Sequence, residues 1–132
     1  MVDHRVDLRD DPKGGFYYWR TPNPILIKNV IVIGGQPTAS GAPDPDRPSL
    51  PGDIRGYDVR TGKLLWTFHT VPHEGEPGAE TWENESWRRG GKTYTWNGFS
   101  GDEKLGYVYV PLSAPTNDNY GGARPGDNLY GD

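Results

Sequence analysis

The chain of 132 residues has no cysteine and a single methionine. Without thiols there is no disulfide framework and no thiolate metal site, and the sequence carries no mark of a redox compartment. No run of 18 apolar residues occurs, so no segment reads as a membrane-spanning helix. Basic charge is short as well. The 14 Lys and Arg are outnumbered by 18 Asp and Glu, and a net charge of -4 with a pI near 5.3 lacks the electropositive footprint of a nucleic-acid binder. Met1 to Asp11 is polar and charged throughout, without the apolar stretch of a signal peptide. Glycine-rich nucleotide loops, Walker loops, nucleophile elbows and zinc-finger spacings are all missing, so none of those chemistries has a local motif to rest on.

Glycine and proline, by contrast, are plentiful at 19 and 13 residues, and Leu, Ile, Val and Phe together reach only about 18% of the chain. Disordered segments share that profile, but they are poor in aromatics, whereas this chain holds 5 Trp and 8 Tyr. The combination predicts an all-β chain with many turns.

Residues 1–15 alternate in charge and end in Pro-Lys-Gly-Gly, a lead-in loop. Residues 16–68 carry four strand candidates, about one four-stranded unit. Phe16 to Trp19 is an aromatic cluster closed by Pro22 and Pro24, which force extended backbone. Ile25 to Ile33 is two β-branched runs around Lys28-Asn29, a two-residue hairpin turn in which Asn tolerates positive φ. Both runs are almost continuously apolar, the pattern of strands covered on both faces; a buried helix is the competing reading, opposed by β-branching and the Gly34-Gly35 stop. Gln36 to Gly52 is a long loop without periodicity. Residues 69–91 are polar and irregular, with Trp82 and Trp87 embedded. Residues 92–132 contain an alternating Thr93 to Trp96, a turn at Ser100 to Gly106 and a strand from Tyr107 to Leu112, then a turn-rich tail, so a second unit starts and does not finish.

The hairpin from Asp53 to Phe68 is the most informative stretch. Gly62 is the residue best able to take positive φ, Asp58 and Thr61 can bond the turn backbone, and Trp66 offers a large apolar plate for a neighbouring sheet. Gly56, Asp58, Thr61, Gly62 and Trp66 together resemble the tryptophan-docking motif of the quinoprotein dehydrogenases, whose first position is usually Ala. That family forms propellers of eight four-stranded blades around pyrroloquinoline quinone. Further segments resemble the glucose and alcohol dehydrogenase type in the same order: Trp66 to Pro72, Trp82 to Trp87, Trp96, and Thr116 to Asn128. The resemblance runs from about Thr21 to the C-terminus.

It implies an eight-bladed β-propeller, of which about one and a half blades are present, and a parent enzyme that oxidises a sugar or alcohol hydroxyl and passes electrons to an acceptor. It also implies a periplasmic setting and a divalent cation, Ca or Mg, beside the quinone. Trp96 stands where the family places the tryptophan under the quinone ring, and Thr116 near the cofactor and its metal. As residues alone, Trp96 is equally an ordinary core tryptophan and Thr116 a turn residue. Asp118, between two asparagines, reads as turn chemistry before cation binding. The family's loop bearing an Asp-Asn pair linked to the metal is replaced here by Gln36-Pro37-Thr38-Ala39-Ser40. Its catalytic Asp and the Lys that clamps the cofactor are expected on later blades, beyond Asp132. A non-catalytic propeller scaffold and an unrelated small β domain are the alternative readings.

Three other constellations have plainer readings. His69 and His73 are four apart, but Pro72 excludes the helix that would align them, and a metal site needs a third ligand. Glu74, Glu76, Glu80, Glu83 and Glu85 read as a solvated acidic loop. Asn84-Glu85-Ser86 matches a glycosylation sequon.

Overall fold

The computed structural model describes residues 23–35, 52–88, 93–95, 97–115 and 120–131. β-Branched runs interrupted by turn residues build its first sheet from β1 (Ile25–Ile27), β2 (Val30–Gly34), β3 (Ile54–Asp58) and β4 (Leu64–Phe68). The four pair antiparallel in sequence order. Ile27 faces Val30 across the first turn, which makes Lys28-Asn29 a two-residue loop as expected. The positive φ falls on Lys28 (φ 53), not on the asparagine. In that conformation the Lys28 amide donates to both carboxylate oxygens of Glu103, at 3.0 and 3.1 Å.

Register assigns the side chains to faces. Val32 lies opposite Gly56 and Gly56 opposite Trp66, while Ile54 lies opposite Phe68, so these residues share one side of the sheet. The ladder slips between Gly56 and Tyr57, leaving Leu65 as the extra residue of a bulge. Ile27, Val32, Ile54 and Tyr57 are buried, but Leu26, Leu64, Leu65, Trp66 and Phe68 remain exposed. The expectation that the strands of Ile25 to Ile33 are covered on both faces therefore fails at Leu26, whose side of β1 has no covering layer among the described residues.

The second hairpin, β5 (Ser100–Asp102) with β6 (Tyr107–Tyr109), corrects two expectations. Ser100 to Asp102 is a strand, and the turn is confined to 103–106, where the Gly106 amide donates to the Asp102 carbonyl at 2.7 Å. β6 stops before Pro111, which has no amide to give a ladder. Thr93 to Thr95 is not part of either sheet. The aromatic cluster Phe16 to Trp19 lies outside the described residues.

After β4 the chain turns through two 3₁₀ segments, Ala79–Thr81 and Glu83–Arg88. Trp82 between them is 1% exposed and plugs this half of the molecule. Its indole N–H donates to the Leu129 carbonyl at 3.3 Å, and the Asn128 amide donates to the Thr81 carbonyl at 3.0 Å. The Glu83 amide and the Ser86 hydroxyl both donate to the Pro125 carbonyl, at 2.9 and 3.3 Å. Ser86 is thus buried and engaged, while Asn84 and Glu85 of the sequon are exposed.

Candidate functional site

The turn between β3 and β4 is organised by one carboxylate oxygen. Asp58 Oδ1 accepts from the Arg60 amide at 3.0 Å, the Thr61 amide at 2.7 Å and the Thr61 hydroxyl at 2.8 Å. The Thr61 hydroxyl, followed by the Thr61 amide, holds the Asp58 carboxyl below the usual aspartate range. Gly62 takes φ 70 and its amide donates to the Asp58 carbonyl at 2.8 Å. Trp66 lies directly over Gly56: a Cβ at Gly56 would sit 2.2 Å from Trp66 Cε2. In this arrangement a methyl at Gly56 would have to displace the indole. The Trp66 ring, with Val32, Ile54, Phe68, Val108 and Tyr130, lines an apolar groove of about 570 Å³ between the sheet and the second hairpin.

Trp96 and Thr116, the two residues expected at a cofactor, both lie outside the described residues, as does Asp118. Their described neighbours do come together. Thr93, Tyr94 and Thr95 are buried, and the Ser113 amide donates to the Tyr94 carbonyl at 2.9 Å while the Tyr94 amide donates to Ser113 Oγ at 3.3 Å. Thr70 Oγ1 donates to the Thr93 carbonyl at 2.7 Å. A Cβ at Gly34 would meet the Thr95 hydroxyl at 2.6 Å, so the end of β2 also approaches this junction. Among the described residues the buried hydroxyls of Thr93 and Thr95 have no hydrogen-bond partner.

The loop leaving β4 holds a cluster that sequence spacing did not anticipate. His69 and His73 stack with ring centroids 3.8 Å apart and an interplanar angle of 20°. His69 Nδ1 lies 2.8 Å from Glu76 Oε1, and the His73 amide donates to Glu76 Oε2 at 2.8 Å. Pro72 does exclude a helix, but a turn brings the two rings together instead. Glu76 therefore leaves the acidic patch for this cluster, and Glu74 and Glu85 pair with Arg88 at 2.8 and 2.9 Å. Asp53, 5% exposed, lies close enough to His69 and His73 to feel their charge; burial nevertheless pushes its carboxyl above the ordinary aspartate range.

A family model described as the β-propeller domain of PQQ glucose, ethanol and alcohol dehydrogenases matches residues 1–132. The chain is 31% identical over 127 residues to quinohemoprotein alcohol dehydrogenase ADH IIB of Pseudomonas putida, covering 86% of this chain and 17% of that protein. It is 38% identical over 100 residues to quinoprotein glucose dehydrogenase A of Acinetobacter calcoaceticus, covering 76% of this chain and 12% of that protein. Among solved structures, quinohemoprotein alcohol dehydrogenase ADHIIG from Pseudomonas putida HK5 superposes with a TM-score of 0.54 at 27% identity, over 70% of this chain and 14% of that one. The chain spans less than a fifth of the length of each of these relatives.

Proposed function

The chain belongs to the family of PQQ-dependent glucose, ethanol and alcohol dehydrogenase β-propeller domains, and from that premise we propose that it is a segment of a quinoprotein dehydrogenase oxidising a sugar or alcohol hydroxyl. The observation that carries this reading is the family match along all of residues 1–132. Pyrroloquinoline quinone, bound with a divalent cation such as Ca or Mg, would supply the redox chemistry of that oxidation. Trp96 stacks against the planar ring, burying area and fixing its orientation. Thr116 hydrogen-bonds the cofactor's carboxylates. Supporting both roles, the segments that lead to them are joined at Tyr94 and Ser113, beside the unpartnered hydroxyl of Thr95.

In this reading residues 16–68 are one blade, 69–91 the inter-blade loop and 92–132 the start of the next blade. Gly56, Asp58, Thr61, Gly62 and Trp66 shape the face on which the neighbouring blade docks, and the exposed β4 residues Trp66 and Phe68 are the apolar surface it covers. The parent enzyme works in the periplasm. Among the described residues no helix is long and apolar enough to cross a membrane.

The test is titration of the dehydrogenase carrying this segment with pyrroloquinoline quinone and Ca²⁺, following tryptophan fluorescence. Quenching on binding, greatly reduced in Trp96→Ala and retained in part by Trp96→Phe, is the expected result. Binding without quenching, or quenching unchanged by Trp96→Ala, removes Trp96 from the cofactor. A folded parent that takes up no quinone at all favours the scaffold reading instead.

A further inference from the structure

Where the chain leaves β4, two imidazoles and a carboxylate converge from one short loop. Nitrogen or oxygen atoms of His69, His73 and Glu76 all lie within 4.8 Å of one another. The loop that presents them is tied by its own backbone: the Glu76 amide donates to the His73 carbonyl at 3.0 Å, and the Ala79 amide to the Glu76 carbonyl at 3.1 Å. Pro72, buried, and Pro77 restrict φ on either side of His73 and Glu76. The donors are thus held on a stiffened turn rather than on a slack chain.

We infer that His69, His73 and Glu76 form a zinc-class divalent metal site. Two nitrogens and one oxygen are the donor set of open zinc sites, with a fourth position left to water or a ligand. Metal–ligand bonds of about 2.0–2.2 Å place tetrahedral donors roughly 3.3–3.5 Å apart. The three donors lie within 4.8 Å of one another, so binding an ion draws the side chains closer together. Calcium or magnesium fits poorly, because hard cations take six or more oxygens and this cluster offers one carboxylate, Glu74 of the same loop being paired with Arg88.

The plainer account of the cluster is a clasp in which Glu76 merely fastens His69. It leaves the second imidazole without work, for among the described residues the His73 ring makes no hydrogen bond, only the stack on His69. Both Glu76 oxygens already point at this pair, one to His69 Nδ1 and one to the His73 amide. An ion here pins residues 69–76 to the end of β4.

The experiment uses the full chain, free of any histidine tag and stripped with chelator, titrated with ZnCl₂ by calorimetry in excess Ca²⁺ and without quinone. The expected result is one zinc per chain. His73→Ala and Glu76→Gln should each weaken binding at least tenfold. Zinc should raise the melting temperature of the wild type and leave that of His73→Ala unmoved, since only the metal-binding form gains by mass action. Co²⁺ should give the visible absorption of a four- or five-coordinate site. His73 is exposed, so its loss strips no buried contact, and circular dichroism verifies the fold of each variant. A folded wild type that takes up no zinc overturns the inference, as does uptake unchanged in the His73→Ala, Glu76→Gln double variant. Because no quinone is present, either outcome leaves the proposed dehydrogenase function standing.

Discussion

The two halves of the described molecule are held together by different means. From Ile25 to Phe68 the chain is a ladder: four antiparallel strands in sequence order, with Ile27, Val32, Ile54 and Tyr57 buried among them. From His69 onward the ladder all but disappears. The two short strands of the second hairpin remain, and the rest is fastened by one buried indole and by side-chain-to-backbone hydrogen bonds from Thr70, Thr81, Trp82 and Ser86. Its buried residues are largely polar, including Thr70, Ser86, Thr93, Thr95 and Asn128. A ladder satisfies backbone groups by regular repetition. An irregular segment satisfies them one contact at a time, with particular backbone and side-chain partners, so single substitutions weigh more there.

The sharpest way to break this contrast is at Trp82. Trp82→Ala removes the plug and the donor to Leu129, at an expected cost of about 3–5 kcal/mol. By hydrogen exchange, amides of the segments 81–86 and 125–131 should lose protection well before those of β2 and β3. Equal loss in both regions would mean that the halves form a single cooperative unit. Next comes Thr70→Val, which keeps the side-chain shape but leaves the buried Thr93 carbonyl without its 2.7 Å donor. Denaturant unfolding should show a loss of about 1–3 kcal/mol.

The smallest effect sharpens the comparison at its boundary, with two aspartates five residues apart. Asp58 has a folded pKa below its unfolded value, so its contribution to stability is present above the unfolded pKa and is lost as pH falls through the folded one. Asp53 has a raised folded pKa, so its contribution is present below the unfolded pKa and is lost as pH rises through the folded one. Asp58→Asn should therefore lower the melting temperature at neutral pH and flatten the acid limb of the profile. Asp53→Asn should raise the melting temperature at neutral pH, with the gain fading toward acid. Melting curves across pH check both signs.

Much of the first half was legible because its signals are local. The β-branched runs, the two-residue turn at Lys28-Asn29 and the Asp58-x-x-Thr61-Gly62 turn each state their conformation within a few residues. The positive φ went to Lys28 because a contact with Glu103, 75 residues away, selected it. Ser100 to Asp102 looked like a turn because Ser, Gly and Asp favour turns, yet the partner strand at Tyr107 to Tyr109 supplied the ladder. The His69–His73–Glu76 cluster was discounted on helical spacing, and only a signal for a proline-bounded turn would have found it.

By itself the sequence determined an all-β, turn-rich chain, the four-stranded sheet and the family to which it belongs, because periodicity, turn chemistry and ordered motifs are written along the chain. Tertiary structure alone decided that Trp66 lies on Gly56, that Trp82 is sealed by the segment 125–129, and that His69, His73 and Glu76 meet. Those arrangements depend on register, on a turn's path and on contacts between residues far apart in sequence, and such contacts have no local signature from which to be read.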